Sequence, residues 1–212
     1  MITEKPVCVT GASGFIASHI VSQLLAEGYR VRGTVRKSAE HYPYLLQLPG
    51  APGRLELVQA DLLGRDSFLP AFRECDFVIH TASPYVINVR DPENDLVKPA
   101  LEGTAAVMEA AGKTADLRRI VLTSSVAAVT DEPDSTKVFT ELDWNTRSSL
   151  RRHPYHYSKT LAERAAWEYI ERNKPHIDLV SINPAMVTGP SIVPAINTTN
   201  AMIRDIITGV YP

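Results

Sequence analysis

Tyr155 and Lys159 stand four residues apart, so on a helix they share one face. That pairing suits proton transfer. A phenol titrates near pH 10 and needs help to exchange a proton at neutral pH. An ammonium one turn away favours the phenolate and supplies that help. Tyr157 falls opposite Leu161 and is the poorer candidate. Thr123-Ser124-Ser125 closes an apolar run upstream, and in open α/β sheets ligands bind where strands end. A hydroxyl at that point can hold a carbonyl oxygen beside the phenol.

A second constellation lies near the N-terminus. Thr10-Gly11-Ala12-Ser13-Gly14-Phe15-Ile16-Ala17 has the spacing G-x-x-G-x-x-A, between an apolar run and a helical stretch. Gly11 permits a tight turn, Gly14 lets backbone approach a pyrophosphate, and Ala17 allows close helix packing. The helix that follows offers free N–H groups to phosphates. About twenty residues on, a carboxylate would grip a ribose 2′-hydroxyl. Here Arg36 and Lys37 stand in that region. A guanidinium grips a 2′-phosphate, which a carboxylate would repel. The expected cofactor is therefore NADP(H). Asp61 and Leu62 follow the third apolar run, where they suit an adenine.

These residues need a scaffold, and the patterning supplies one. Short apolar runs predict strands over 7–10, 29–35, 55–60, 77–81, 120–123 and 179–182. Helical spacing predicts helices over 15–27, 67–75, 95–111, 155–173 and 197–208, with Gly28 as a C-terminal cap. Residues 131–149 read as a loop, with Asp131-Glu132-Pro133-Asp134 as a solvated acidic turn. The alternation predicts an α/β fold: a doubly wound, mostly parallel sheet with helices on both faces.

Composition narrows the class. The chain has 212 residues, 44% apolar, 22% charged and 7% aromatic, with a net charge of −2. That balance argues against a broad basic nucleic-acid surface. No apolar run reaches the ~20 residues of a membrane span. The first residues lack the apolar region of a signal peptide. Cys8 and Cys75 read as buried thiols of a reducing compartment, so a cytoplasmic protein is expected. His153 and His156 lack a third ligand, so no metal is expected. His80 ends a strand and reads as structural.

The chain resembles the extended short-chain dehydrogenase/reductases. Within them it is similar to the branch of dihydroflavonol reductases, cinnamoyl-CoA reductases and microbial methylglyoxal or aldehyde reductases. The residues that carry this are the Thr10–Ser18 run, Arg32-Gly33-Thr34-Val35-Arg36 and Ala60-Asp61-Leu62. His80-Thr81-Ala82-Ser83-Pro84, Asp91-Pro92-Glu93-Asn94 and Pro99-Ala100-Leu101-Glu102-Gly103-Thr104 add to them. So do Thr123-Ser124-Ser125, the run Tyr155 to Glu163, and Asn183-Pro184.

The resemblance implies that NADPH delivers hydride to an aldehyde or ketone. Tyr155 would protonate the oxygen, Lys159 would lower the phenol's pKa and hold the nicotinamide ribose, and Ser125 rather than Ser124 would orient the carbonyl. It implies cofactor contacts at Gly11, Ser13, Gly14, Phe15, Ile16, Arg36, Asp61, Leu62, Thr81, Ala82, Ser83, Thr123, Pro184, Val187 and Thr199, with Lys37 assisting Arg36. Tyr85, Thr130, Met186 and residues 191–197 would line the substrate pocket.

Departures from the branch sharpen the expectation. His153-Pro154-Tyr155-His156-Tyr157-Ser158-Lys159 lacks the Trp, Cys and Gly of the plant cinnamoyl-CoA reductases, which points away from a CoA thioester. Thr130 stands where dihydroflavonol reductases often carry Asn or Asp, which points away from a flavonoid. The family also runs longer. Residues 1–190 are read as the cofactor domain with the catalytic residues, and 191–212 as the start of a C-terminal substrate region that is largely missing. Apolar residues around Ile192, Val193, Ile206 and Ile207 would then be left uncovered and favour self-association. Two other readings stand beside the reductase. One is a nucleotide-sugar epimerase or dehydratase of the same superfamily, which generally holds NAD with an acid where Arg36 stands. The other is a non-catalytic fragment that binds NADP.

Overall fold

The computed structural model describes residues 4–84, 89–132, 134–173 and 176–210. Tyr85 lies outside them. Six strands form one parallel sheet: β1 (Val7–Thr10), β2 (Val31–Val35), β3 (Leu55–Gln59), β4 (Phe77–His80), β5 (Arg119–Thr123) and β6 (Asp178–Ile182). Their order is β3-β2-β1-β4-β5-β6. The winding reverses between β1 and β4, which pair from Val7↔Phe77 to Thr10↔His80. A crevice opens above the strand ends at such a reversal.

Two cores flank the sheet. Helix α1 (Phe15–Ala26) and the short α2 (Pro43–Leu46) cover one face, where Val21, Leu25 and Leu45 pack on Val9 and Val31. Helices α3 (Phe68–Phe72), α4 (Lys98–Gly112) and α6 (Pro154–Asn173) cover the other, around Phe68, Phe72, Met108, Ile120 and Ala166. Both cysteines are buried free thiols, Cys8 in β1 and Cys75 just before β4. Helix α1 ends at Gly28 (φ 91°), whose N–H and that of Tyr29 return to the carbonyls of Leu25 and Leu24.

Beyond the short α2 and the 3-10 turn over Ala39–His41, which the sequence reading did not foresee, three features depart from it. The fourth helix begins as a π turn over Glu93–Val97 and becomes α-helical at Lys98. Pro99 has no N–H to return to Asp95, and its ring crowds that carbonyl. A one-turn helix α5 (Val126–Val129) follows β5; four residues carry too little periodicity to be seen. Asp131 is not a solvated turn residue. Its side chain is 2% exposed and accepts a 3.0 Å bond from Arg152 Nε. The partner lies 21 residues away, beyond the reach of local pattern.

The last helix, α7 (Thr198–Ile207), is capped by Asn197, whose side chain accepts from the Asn200 N–H. The α1 side of β6 is bare: Val180 and Ile182 are 37% and 51% exposed. A groove of about 380 Å³ runs there between Ile16, Ile20 and Leu24 of α1 and Val121, Ile182 and Pro184. No helix among the described residues is long and apolar enough to cross a membrane.

Candidate active site

The turn after β1 is strapped to β2. Gly11 N–H donates to Thr34 Oγ1 at 3.0 Å, and Ala12 N–H donates to the Thr34 carbonyl at 2.8 Å. Gly11 has φ +66°, and a Cβ there would lie 3.0 Å from Ala82 Cα. Only glycine meets both conditions without strain. Gly14 caps α1 in extended conformation with no side-chain cap and itself lines the crevice, so the first amides of a 12-residue helix are left for a ligand. Gly33 of β2 keeps the turn close: a Cβ there would lie 2.7 Å from Ala12 Cβ.

The crevice is a cleft of about 510 Å³. It brings together Gly11, Ser13, Gly14, Arg36, Asp61, Leu62, Thr81, Ala82 and Ser83, nine of the residues expected at a dinucleotide. Arg36 is exposed at the end of β2. Asp61 Oδ1 already accepts from the Leu63 N–H at 2.9 Å. Ile16 and Pro184 lie instead in the apolar groove behind the turn. The cleft does not include Phe15, Lys37, Val187 or Thr199.

Thr10 ties the far wall to β1, a role its place in the glycine motif did not reveal. Its Oγ1 accepts from the Thr81 and Ala82 N–H groups, both at 3.1 Å. Its carbonyl accepts from the Thr81 hydroxyl. With both lone pairs used, the Thr10 hydroxyl donates to His80 Nδ1 at 2.7 Å. The His80 proton is thereby assigned to Nε2. Burial pushes the His80 pKa down to about 3, and the Lys159 charge adds to this, so the ring is neutral.

Ser83 joins this wall to the proton-transfer pair. Lys159 is 9% exposed, and its Nζ donates to Ser83 Oγ at 3.0 Å. The same Nζ lies 5.7 Å from the centroid of the Tyr155 ring. Helix α6 sets both: Tyr155 is in its first turn and Lys159 in its second, on one face. Burial lowers the Lys159 pKa to about 8, against an upward push from Glu163.

The two serines have different surroundings. Ser125 Oγ accepts from the Ala127 N–H at 3.2 Å and caps α5, which leaves its own hydrogen to donate. Ser124 Oγ is buried without a partner. With Thr123, it lines a small cavity with His80, Ser83, Thr104, Lys159 and Glu163. Thr130 lies further out, in a separate cleft of about 520 Å³ with Asp131, Glu132 and Trp144. Met186 is largely exposed.

Residues 7–210 match the profile of the NAD-dependent epimerase/dehydratase family. The chain belongs to that family. Among its extended short-chain dehydrogenase/reductase relatives is a protein named cinnamoyl-CoA reductase CAD2, from Medicago truncatula. The two are 45% identical over 213 residues, covering 96% of this chain and 64% of the relative. A dihydroflavonol 4-reductase of Arabidopsis thaliana is 40% identical, over 100% of this chain and 56% of that protein. Among solved structures, the yeast methylglyoxal/isovaleraldehyde reductase Gre2, complexed with NADPH, superposes with a TM-score of 0.80. It is 36% identical over 88% of this chain and 59% of Gre2. The chain thus spans less than two thirds of the length of these relatives.

Proposed function

We propose that this chain is the cofactor-binding and proton-transfer part of an NADPH-dependent reductase that converts an aldehyde or ketone to an alcohol. One observation carries the reading. Ser83 lines the dinucleotide-sized cleft and also accepts from Lys159 Nζ, so cleft and Tyr–Lys pair meet at one residue. The residues fit a dinucleotide. Gly11 and Gly14 bring main chain to the cleft wall, and the first amides of α1 carry no side-chain cap, as a phosphate would need. Arg36 would take the 2′-phosphate, and its charge favours NADP(H) over NAD(H).

The bound cofactor supplies the hydride. The chain's own groups manage the proton and the carbonyl. Tyr155 donates its phenolic proton to the carbonyl oxygen. Lys159, held at Ser83, stabilises the phenolate left behind. Ser125 turns its free hydroxyl hydrogen to the same oxygen and orients it.

Titration with NADPH and NADH, followed by cofactor oxidation with a panel of small aldehydes and ketones, tests the reading. The expected result is preferential NADPH binding that Arg36→Glu reverses, and carbonyl-dependent oxidation that Tyr155→Phe lowers at least ~100-fold. Tight NAD binding would instead favour the epimerase or dehydratase reading. NADPH binding without turnover in the intact protein would leave only a binding module. Self-association through the bare face of β6 and the exposed Ile206 and Ile207 is also proposed. Monomeric light scattering would overturn it.

A further inference from the structure

Glu163 is 6% exposed, an unusual place for a carboxylate. It stands one turn beyond Lys159 on α6, and both border the small cavity behind the cleft. Its Oε2 accepts from Asn183 Nδ2 at 2.8 Å, and its Oε1 accepts from Trp167 Nε1 at 3.4 Å. Asn183 Nδ2 donates a second bond, 3.1 Å long, to the Ser125 carbonyl. A continuous chain of bonds therefore runs from α6, through the segment after β6, to the segment after β5.

A buried carboxylate needs hydrogen bonds and a balancing charge. The hydrogen bonds come from Asn183 and Trp167. The charge facing the same cavity is Lys159. The other polar groups there are His80 on β4, Ser83 beyond it, Thr104 on α4 and Thr123 and Ser124 at the end of β5, and outside it the Tyr155 ring centroid lies 5.7 Å from Lys159 Nζ. His80 is neutral, so Glu163 is the anion facing Lys159 in that cavity.

We propose that Glu163 is a positioning residue for the Tyr155–Lys159 pair: its buried carboxylate is the counter-charge of the Lys159 ammonium, and through Asn183 it holds the main chain that carries Ser125. This rests on the reading of Lys159 as the working cation. It goes beyond that reading in assigning the charge that lets a buried lysine stay an ammonium. Glu163 opposes the downward pull of burial on Lys159, in the direction the proposal requires.

A purely structural tie between α6 and β6 would need the hydrogen bonds of Glu163 but not its charge. Glu163→Gln separates the two, because its amide oxygen still accepts from Asn183 and only the longer bond from Trp167, outside the tie, is given up. The readout is the acetylation rate of Lys159 in the intact protein, followed by peptide mass spectrometry from pH 6 to pH 11. Only the neutral amine reacts, so the profile reports the lysine directly.

The expected result for Glu163→Gln is a midpoint about one pH unit lower than wild type. At pH 7.5 that lowers the protonated share about threefold. An unchanged midpoint would overturn the proposal. Asn183→Ala severs the tie and keeps the charge. It is expected to leave the Lys159 midpoint in place while lowering kcat with little change in the KM for NADPH. If Asn183→Ala lowers the midpoint as far as Glu163→Gln, packing rather than charge sets the lysine and the proposal fails. This second variant also decides the matter if Glu163→Gln does not fold. Absence of carbonyl reduction in wild type would sink the proposed activity alone, since the acetylation profile does not depend on turnover.

Discussion

Replacing Lys159 with methionine should make the protein more stable while removing the cation proposed for proton transfer. The reasoning starts from the lysine's surroundings. Burial lowers its pKa from 10.5 to about 8, even with Glu163 opposing. At 1.36 kcal/mol per pH unit, holding the charge inside the fold costs about 3 kcal/mol at neutral pH. The unfolded chain binds this proton more readily than the folded one. The cost is therefore full below pH 8 and fades as pH rises towards 10.5.

Methionine has nearly the length of lysine and carries no charge. Loss of the bond to Ser83 offsets about 1 kcal/mol. Lys159→Met should thus gain about 2 kcal/mol at pH 7, or about 4–8 °C in Tm for a chain of this size. At pH 10 the remaining charge cost is below about 1 kcal/mol, so the gain should vanish. Unfolding of both proteins, followed by circular dichroism at pH 7 and pH 10 without cofactor, measures this. A methionine variant less stable than wild type at pH 7 would refute the reasoning. So would a gain that persists undiminished at pH 10.

Two other outcomes follow from the site. Gly11→Ala forces a side chain into a positive-φ position 3.0 Å from Ala82 Cα. It should cost about 1–3 kcal/mol in urea unfolding and weaken NADPH binding in calorimetry. His80 titrates near 6.5 in the unfolded chain and near 3 in the fold, so stability falls as pH drops below 6.5. This group alone should remove about 3 kcal/mol between pH 7 and pH 4. His80→Asn, which can still accept from Thr10, should show a correspondingly flatter urea-midpoint profile over that range.

The sheet was legible because each strand is a short apolar run ending in turn residues, from Val7–Thr10 through Phe77–His80 to Asp178–Ile182. The glycine turn was legible for the same reason: Gly11 and Gly14 are needed by backbone geometry, which leaves a mark in the local sequence. Roles that depend on contact between distant elements left none. Thr10 meets His80 and Thr81 some seventy residues away. Glu163 meets Asn183 twenty residues on, across the α6–β6 connection. The shielded side chain of Asp131 meets Arg152, 21 residues on. In each case the residue type was visible and the partner was not.

The strand order explains why the two halves of the site adjoin. With β4 beside β1, the residues that leave β4 lie against the phosphate turn, Ala82 next to Gly11. Its first residues are pinned to β1 by Thr10, and Ser83 then falls within reach of Lys159 on α6. Ser83 Oγ accepts from the ammonium and keeps its own hydrogen. A ligand oxygen in the cleft that takes this hydrogen is connected to Lys159 through a single atom. Hydrogen bonds that share an atom polarise one another, so occupation of the cleft strengthens the lysine's bond at Ser83. The cation beside Tyr155 is then best ordered when the cleft is filled.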